Sequence, residues 1–206
     1  MKLYFVRHGE SEANVLKEFS NRGLKHELTA TGKQQAFTLA QTLQGLPLIK
    51  IFSSPVLRAI QTAEILAREL DIPYETVDAL REYDVGVLEG KSFADGLQMY
   101  SEVYDAWIWR HEWDKRIEQG ESFLDIKHRF VPFIEWLIQQ NQSSPRGIVL
   151  VGHGGTYRCM LPLILSNIDF QFVADHPLSY TTRVVAEVRE TDLVCLSWGD
   201  TLLVSE

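Results

Sequence analysis

Two arginines and two histidines in the sequence have the chemistry that phosphoryl transfer needs. Arg7 and His8 are neighbours near the start of the chain, Arg58 follows a short apolar segment, and His153 lies in a Gly-His-Gly-Gly run. An arginine guanidinium keeps its charge and can hold two phosphate oxygens at once. A neutral imidazole can attack phosphorus, which divides one difficult displacement into two easier steps. The set predicts phosphoryl transfer if the fold brings these residues together.

Each residue has a distinct role in this hypothesis. We expect His8 to be the nucleophile, because the following Gly9 lets the backbone approach the ligand closely. Arg7 and Arg58 would bind the phosphoryl group. His153, protonated beside the bound phosphate, would add positive charge around its oxygens. The scheme requires no metal and no other cofactor, and we expect neither.

The reaction also needs an acid for the leaving oxygen and later a base for water. Glu82 is the predicted residue for both tasks, because it lies just after the strand-like segment Tyr74 to Val77. Asp84 and Glu89 are close to Glu82 in sequence. Any of these carboxylates could instead form an ion pair with Arg81.

The elements that must position these residues alternate short apolar runs with amphipathic stretches, which is typical of an α/β fold. Leu3 to Val6, Ile49 to Ser53 and Ile148 to Val151 have the continuous apolar character of parallel strands buried on both faces. Ligands bind beyond the carboxyl ends of such strands. Because the arginines and histidines follow these ends, the sequence predicts that they meet in one crevice.

Helix signals occupy the sequence between the predicted strands. Apolar residues recur at helical spacing from Thr29 to Leu43, and Ser or Thr before such a stretch can cap its free N–H groups. A Ser-Pro pair suits a helix start, and an S-x-x-D spacing resembles a capping box. The predicted helices begin at Thr29, at Ser54 with Pro55, and at Ser122 with Asp125; Tyr180 to Val188 and Leu193 to Trp198 predict two strands at an antiparallel edge of the sheet.

The segment around residues 91–120 is rich in aromatic residues and allows two interpretations. It could be a lid-like insertion over the crevice that offers apolar contact to an organic leaving group. Part of it also has the spacing of a helical apolar stripe, and such stripes more often belong to a core. The aromatic residues are Tyr100, Tyr104, Trp107, Trp109 and Trp113, and the stripe consists of Leu97, Tyr100, Tyr104 and Trp107.

The overall composition is that of an ordinary globular protein and excludes several function classes. The 206 residues, 45% of them hydrophobic and 23% charged, suit one domain spanning 1–206. A formal net charge of −8 argues against nucleic acid as a partner. Neither cysteine has the spacing of a metal site or disulfide framework. We predict neither a signal peptide nor a membrane span, because the sequence has no apolar run of about 18 residues, and we expect no membrane partner and a cytoplasmic location.

Five segments along nearly the whole chain carry the residues singled out above. They read LYFVRHGESEAN, SSPVLRAIQTA, LREYDVGVLEG, GESFLDIKHR and VLVGHGGTYRCML. In this order they resemble segments of the histidine phosphatase superfamily, in the branch that includes cofactor-dependent phosphoglycerate mutases and related small phosphatases. The loop from Gly23 to Thr29 departs from the family pattern, since many relatives have an Asp and a Pro there.

The resemblance implies a three-layer α/β/α sandwich with a mostly parallel sheet, to which our interpretation of the C-terminal part adds one antiparallel edge strand. It also implies that His8 becomes phosphorylated and that Glu82 is the proton donor. Asn14 matches a family position that contacts the phosphate, although it could instead cap a helix. The expected substrate-binding residues are Arg7, Asn14, Arg58, His153 and Gly154.

The leading hypothesis is hydrolysis of a small phosphorylated metabolite, a phosphate monoester, through phosphohistidine. Phosphoglycerate mutation is the enzymatic alternative. The resemblance implies that such mutases have a longer chain than this one, with more sequence between the acid and the second histidine. A noncatalytic module that binds a phosphorylated ligand is a third interpretation, which the joint presence of His8, Glu82 and His153 opposes. An exposed edge strand near the C-terminus would allow a homodimer.

Overall fold

A seven-stranded sheet forms the centre of the computed structural model, which describes residues 1–141, 144–190 and 192–203. Its strands lie side by side in the order β3-β2-β4-β1-β5-β6-β7, as defined by the ranges below. In chain order they are β1 (Lys2–Arg7), β2 (Leu48–Ser53), β3 (Tyr74–Thr76), β4 (Gly147–Gly152), β5 (Arg183–Arg189), β6 (Asp192–Trp198) and β7 (Thr201–Leu202).

The first four strands are parallel and contain the segments that the sequence predicted. Strand β1 pairs with β4, and β2 pairs with both β4 and β3. All six residues of β4 are buried, as continuous apolar runs in parallel sheets require. The predicted parallel strands are therefore confirmed, and their carboxyl ends lie at one edge of the sheet.

Helices cover both faces of this sheet, which is why its central strands are apolar on both sides. Tyr4 and Val6 pack on the face covered by α2 and α3, whereas Leu3 and Phe5 pack on the opposite face with α5 and α6. This arrangement confirms the predicted three layers. The helices are α1 (Glu12–Leu16), α2 (Ala30–Leu43), α3 (Leu57–Leu70), α4 (Phe93–Trp109), α5 (Phe123–Asn141), α6 (Gly154–Ile164) and α7 (Phe170–Asp175).

Two predicted helix starts are confirmed by their capping hydrogen bonds. The Thr29 hydroxyl accepts a bond from the Gly32 N–H at 3.0 Å, which satisfies one of the free donors at the start of α2. At α5 the Ser122 hydroxyl accepts from the Asp125 N–H at 3.2 Å, while the Asp125 carboxylate accepts from the Ser122 N–H at 2.9 Å. The latter pair is a reciprocal capping box.

The prediction that Ser54 and Pro55 open a helix was wrong, because α3 begins at Leu57. The Ser54 hydroxyl accepts a hydrogen bond from the Val56 N–H at 3.2 Å and lies 2.7 Å from His153 Nε2. The Ser54 side chain, which local spacing assigned to a helix cap, thus contacts His153, a residue distant in sequence.

The antiparallel part of the sheet is larger than predicted. Strand β5 pairs with β1, β6 with β5, and β7 with β6, so three antiparallel strands stand where the sequence predicted two strands and an antiparallel edge. The first of them begins at Arg183 rather than Tyr180, because the chain turns just before it: the Thr182 N–H donates to the Ser179 carbonyl at 3.2 Å, and Thr181 has a φ of 54°. The connection between β5 and β6 includes Thr191, which lies outside the described residues.

The aromatic segment supplies both core and surface residues. Helix α4 buries Trp107, which is 1% exposed and contacts the ring of Tyr83 edge-on at 5.4 Å. Nearer the start of the same helix, Leu97 is 55% exposed. The core interpretation therefore holds for Trp107, and a lid over the crevice stays a prediction. Among the described residues, every helix is too short or too polar to cross a bilayer.

Candidate active site

The predicted convergence of Arg7, His8, Arg58 and His153 is present at the carboxyl edge of the parallel strands. His8 follows β1 directly, and its N–H donates to the carbonyl of Gly152 at the end of β4 at 3.0 Å. Arg58 lies in the first turn of α3, and its Nε donates to His8 Nε2 at 2.9 Å. The rings of His8 and His153 are 5.0 Å apart between centroids. Segments distant in sequence thus form one cluster.

The hydrogen bonds of His8 define which of its two ring nitrogens is unprotonated. Its Nδ1 lies 2.7 Å from the Gly9 carbonyl, which can only accept, so Nδ1 carries the proton. Its Nε2 accepts from Arg58 and therefore has the lone pair that a nucleophile needs. A side chain on Gly9 would come within 2.5 Å of the Gly32 carbonyl oxygen, so only glycine fits there.

Arg58 connects the two histidines and remains positively charged. Its NH1 donates to the Ser20 carbonyl at 2.7 Å, and its NH2 lies 3.4 Å from His153 Nδ1. Burial lowers the pKa of Arg58 to about 10, against the opposing attraction of the Glu82 carboxylate. A guanidinium with that pKa is protonated at neutral pH, so the cluster retains a cation suited to phosphate.

Both histidines are neutral in the surroundings that the protein provides. Burial, followed by the charge of Arg58, lowers the pKa of His8 and of His153 well below the ordinary histidine value. Neutrality suits His8 as a nucleophile. The positive charge that the sequence assigned to His153 would therefore depend on a bound anion, which would favour a proton on Nδ1.

Arg7 and Gly154 lie together at the side of this cluster. Arg7 NH1 donates to the Leu178 carbonyl at 2.6 Å, and its guanidinium lies 4.4 Å from the centroid of the Tyr180 ring. Its buried Nε has no hydrogen-bond partner among the described residues. A side chain on Gly154 would lie 3.3 Å from that Nε, so glycine avoids a tight contact with the Arg7 guanidinium.

Glu82 is held by donors at the start of α6. Its Oε2 accepts from the Gly155 N–H at 2.9 Å, and its Oε1 accepts from the Thr156 N–H at 2.7 Å. The Thr156 hydroxyl lies 2.8 Å from Oε1 and 2.9 Å from the Arg81 carbonyl. A hydroxyl that donates to Arg81 can accept from a protonated Glu82, so this site accommodates the carboxylic acid and the carboxylate.

The other carboxylates near Glu82 in sequence have different partners. Asp84 forms an ion pair with Arg22 at 2.6 Å, and Glu89 accepts from the N–H of Asn21 at 2.9 Å. Arg81 pairs with Asp78 and Glu121 rather than with any of the three. Of the competing carboxylates, Glu82 is the one that lines the cavity.

The cavity above the cluster has a volume of 310 Å³ and includes Asn14 in its lining. The Asn14 Oδ1 accepts from the Ser11 N–H at 3.0 Å and from the Ser11 hydroxyl at 2.8 Å. This capping interaction was the alternative that the sequence left open, and it is present. Because Asn14 also borders the cavity, contact with a ligand stays a prediction for its amide nitrogen.

Comparison with known proteins identifies the family. The sequence matches the histidine phosphatase superfamily (branch 1) over residues 3–201. The chain belongs to this superfamily. Its curated relatives include the 6-phosphofructo-2-kinase/fructose-2,6-bisphosphatase 1 of Rattus norvegicus, 34% identical over 165 residues that cover 79% of this chain. That match covers 32% of the rat protein, so the chain spans about a third of the length of this relative.

This member of the histidine phosphatase superfamily is also similar to a protein named as a mutase and to a protein named as a phosphatase. The protein named "Probable phosphoglycerate mutase GpmB" from Proteus mirabilis is 34% identical over 166 residues, covering 80% of this chain and 75% of that protein. The structure of a phosphoserine phosphatase from Entamoeba histolytica, in complex with 3-phosphoglyceric acid, superposes with a TM-score of 0.80 and 26% identity, covering 97% of both chains. The similar proteins thus include phosphatases and a mutase.

Sequence reasoning on this member of the histidine phosphatase superfamily missed two charged residues that line the cavity, Glu18 and Arg158. The Arg158 guanidinium lies 4.6 Å from the centroid of the Tyr104 ring, and it borders the cavity together with Phe93 and Leu97. A signal was present in the sequence, because Arg158 follows Gly154 by four positions. Residues with that spacing lie on the same face of a helix.

Proposed function

We propose that this chain hydrolyses small-molecule phosphate monoesters through a phosphohistidine intermediate on His8. The observation that carries this proposal is the hydrogen bond from Arg58 Nε to His8 Nε2 at 2.9 Å, because it requires an unprotonated nitrogen beside a buried cation. A cavity of 310 Å³ is at the small end of ligand sites, which supports a compact substrate. The phosphatases among the similar proteins support the same reaction class.

The reaction has two chemical steps in this proposal. His8 Nε2 bonds to phosphorus while the bond to the ester oxygen breaks, and protonated Glu82 transfers its proton to that oxygen. Water then attacks the phosphohistidine as the Glu82 carboxylate accepts a proton from it. This second step releases inorganic phosphate and restores neutral His8. Throughout, Arg7, Arg58 and His153 stabilise the charge on the phosphoryl oxygens.

Phosphoglycerate mutation is the second candidate, because the Proteus mirabilis relative is named as a mutase. A mutase shares the phosphohistidine but returns the phosphoryl group to a bound organic product instead of water. The two candidates therefore differ in the acceptor of the second step. Simultaneous assays of phosphate release and of phosphoglycerate interconversion measure that difference directly.

The test is a screen of phosphate monoesters with the wild type, His8→Ala and a control, His128→Ala. His128 is an exposed histidine of α5 outside the cavity. We expect the wild type and the control to release phosphate, and the rate of release to fall on the order of 10⁴-fold or more in His8→Ala. The wild type and the control should also form an acid-labile phosphoryl adduct, which His8→Ala should lack. Unchanged turnover in His8→Ala would overturn the mechanism. Efficient phosphoglycerate interconversion with little phosphate release would favour the mutase.

A further inference from the structure

The segment GESFLDIKHR has no role in the reaction described so far, although its glutamate has an unusual set of partners. The Glu121 carboxylate accepts from Arg81 NH1 and NH2, both at 2.7 Å. It also accepts from Arg129 Nε at 3.0 Å and NH2 at 3.2 Å, and from the Asp84 N–H at 2.9 Å. One carboxylate thus binds two guanidinium groups and one backbone donor.

These partners lie on both sides of Glu82 in the sequence. Arg81 immediately precedes Glu82, and Asp84 follows two positions later. The Glu121 N–H donates to the Asp84 carbonyl at 2.9 Å, so Glu121 holds the backbone of Asp84 through its own backbone as well as its side chain. Glu121, which lies just before α5, therefore holds the loop that carries Glu82 by hydrogen bonds on both sides of Glu82.

A second attachment comes from Arg129, which lies within α5. Its NH1 donates to the Ala79 carbonyl at 2.8 Å, which fixes the chain shortly before Arg81. The side chains of Glu121 and Arg129 are each 12% exposed. Replacing such mostly buried ion pairs by apolar residues is often neutral for stability, so stability alone gives little reason for this network. Its bidentate geometry does constrain the position of the loop.

We propose that Glu121 is a positioning residue for proton transfer to the leaving oxygen, acting through Glu82. The inference rests on the proposed function, in which Glu82 is the acid. The start of α6 holds the Glu82 carboxylate, and Glu121 just before α5 holds the backbone from which that side chain extends. Both attachments are needed to hold the acid at a constant distance from the leaving oxygen. A misplacement of about 1 Å can slow a reaction by about 10²-fold.

Leaving-group dependence separates this role from general support of the fold. Alkyl phosphates need protonation of the leaving oxygen, whereas p-nitrophenyl phosphate has a good leaving group and needs it little. We expect Glu121→Gln to lower kcat for an alkyl phosphate by about 10- to 100-fold. For p-nitrophenyl phosphate we expect the fall to stay below about threefold. Inhibition by inorganic phosphate should stay unchanged, because Glu121 does not border the cavity.

A double-variant comparison shows whether Glu121 acts through Glu82. If it does, Glu121→Gln slows the wild type on alkyl phosphates but adds little in a Glu82→Gln background, because effects of residues that act as a unit are not additive. Glu102→Gln is the matched control, since Glu102 is an exposed glutamate that pairs with Lys115 at 2.9 Å. This control should behave as the wild type on both ester types.

A second variant keeps the test valid if Glu121→Gln folds poorly. Arg81→Met removes the bidentate partner while Arg129 still neutralises Glu121, and it should give the same selective loss on alkyl phosphates. Equal slowing of aryl and alkyl esters in the folded variants, with selective slowing in Glu82→Gln, would overturn the role of Glu121 alone. Equal slowing in Glu82→Gln itself would instead overturn the assignment of the acid in the proposed function.

Discussion

The floor and the wall of the cavity are built in opposite ways. The floor (His8, Arg58 and His153) is at most 4% exposed, and its polar atoms are hydrogen-bonded to one another and to the backbone. The wall on α4 includes Phe93 and Leu97, which are 37% and 55% exposed. A rigid polar floor suits a group common to all substrates, whereas an open apolar wall suits a leaving group that differs between them. The contrast predicts that reactivity resides in the floor and substrate preference in the wall.

After His8→Ala, the largest effect on catalysis should come from Arg58→Lys in the floor. A lysine has one ammonium group and cannot replace the separate nitrogens that bond to His8, Ser20 and His153. We expect kcat/KM to fall by about 10²- to 10³-fold for every substrate, as for loss of one preorganised donor. Arg68→Lys, an exposed position on the same helix, is the control. A fall limited to some substrates would mean that the floor also discriminates between leaving groups.

The neutral histidines of the floor should also make folding sensitive to acid. Because burial keeps the pKa of His8 and His153 well below the ordinary value, the unfolded chain gains protons first as the pH falls below about 6.5. The free energy of unfolding therefore decreases with falling pH, by up to about 1.4 kcal/mol per pH unit for each histidine. Urea unfolding from about pH 7.5 to 5.5 should show a shallower decrease in His8→Asn. Identical slopes would contradict a neutral His8.

The smallest effect on stability should come from Leu97→Ala in the wall. Since Leu97 is largely exposed, the free energy of unfolding should change by less than about 0.5 kcal/mol, while KM for organic esters shifts and kcat stays nearly constant. Met99→Ala is the control, because Met99 is 46% exposed on the same helix but does not border the cavity. If KM is unchanged for every ester tested, the wall does not contact the leaving group.

The residues of the floor could be predicted because they follow directly from strand ends. Continuous apolar runs indicate parallel strands, and parallel strands bring their carboxyl ends to one edge. Arg7, His8 and His153 needed no further information to be placed together. Local patterns were equally sufficient for the caps at Thr29 and Ser122, because the capping bonds join residues only three positions apart.

Contacts between distant segments depended on the tertiary structure. Ser54 has the local pattern of a helix cap, yet its hydroxyl lies 2.7 Å from His153. The hydrogen bonds between Glu121 and the loop of Glu82 and the third antiparallel strand, β7, likewise follow from no short segment of the sequence. The amino-acid sequence determined which groups the molecule has and which strand ends carry them, since these depend on local periodicity. Only the folded chain decided how those groups bond to one another, because hydrogen bonds across segments depend on ångström-scale distances that no local pattern encodes.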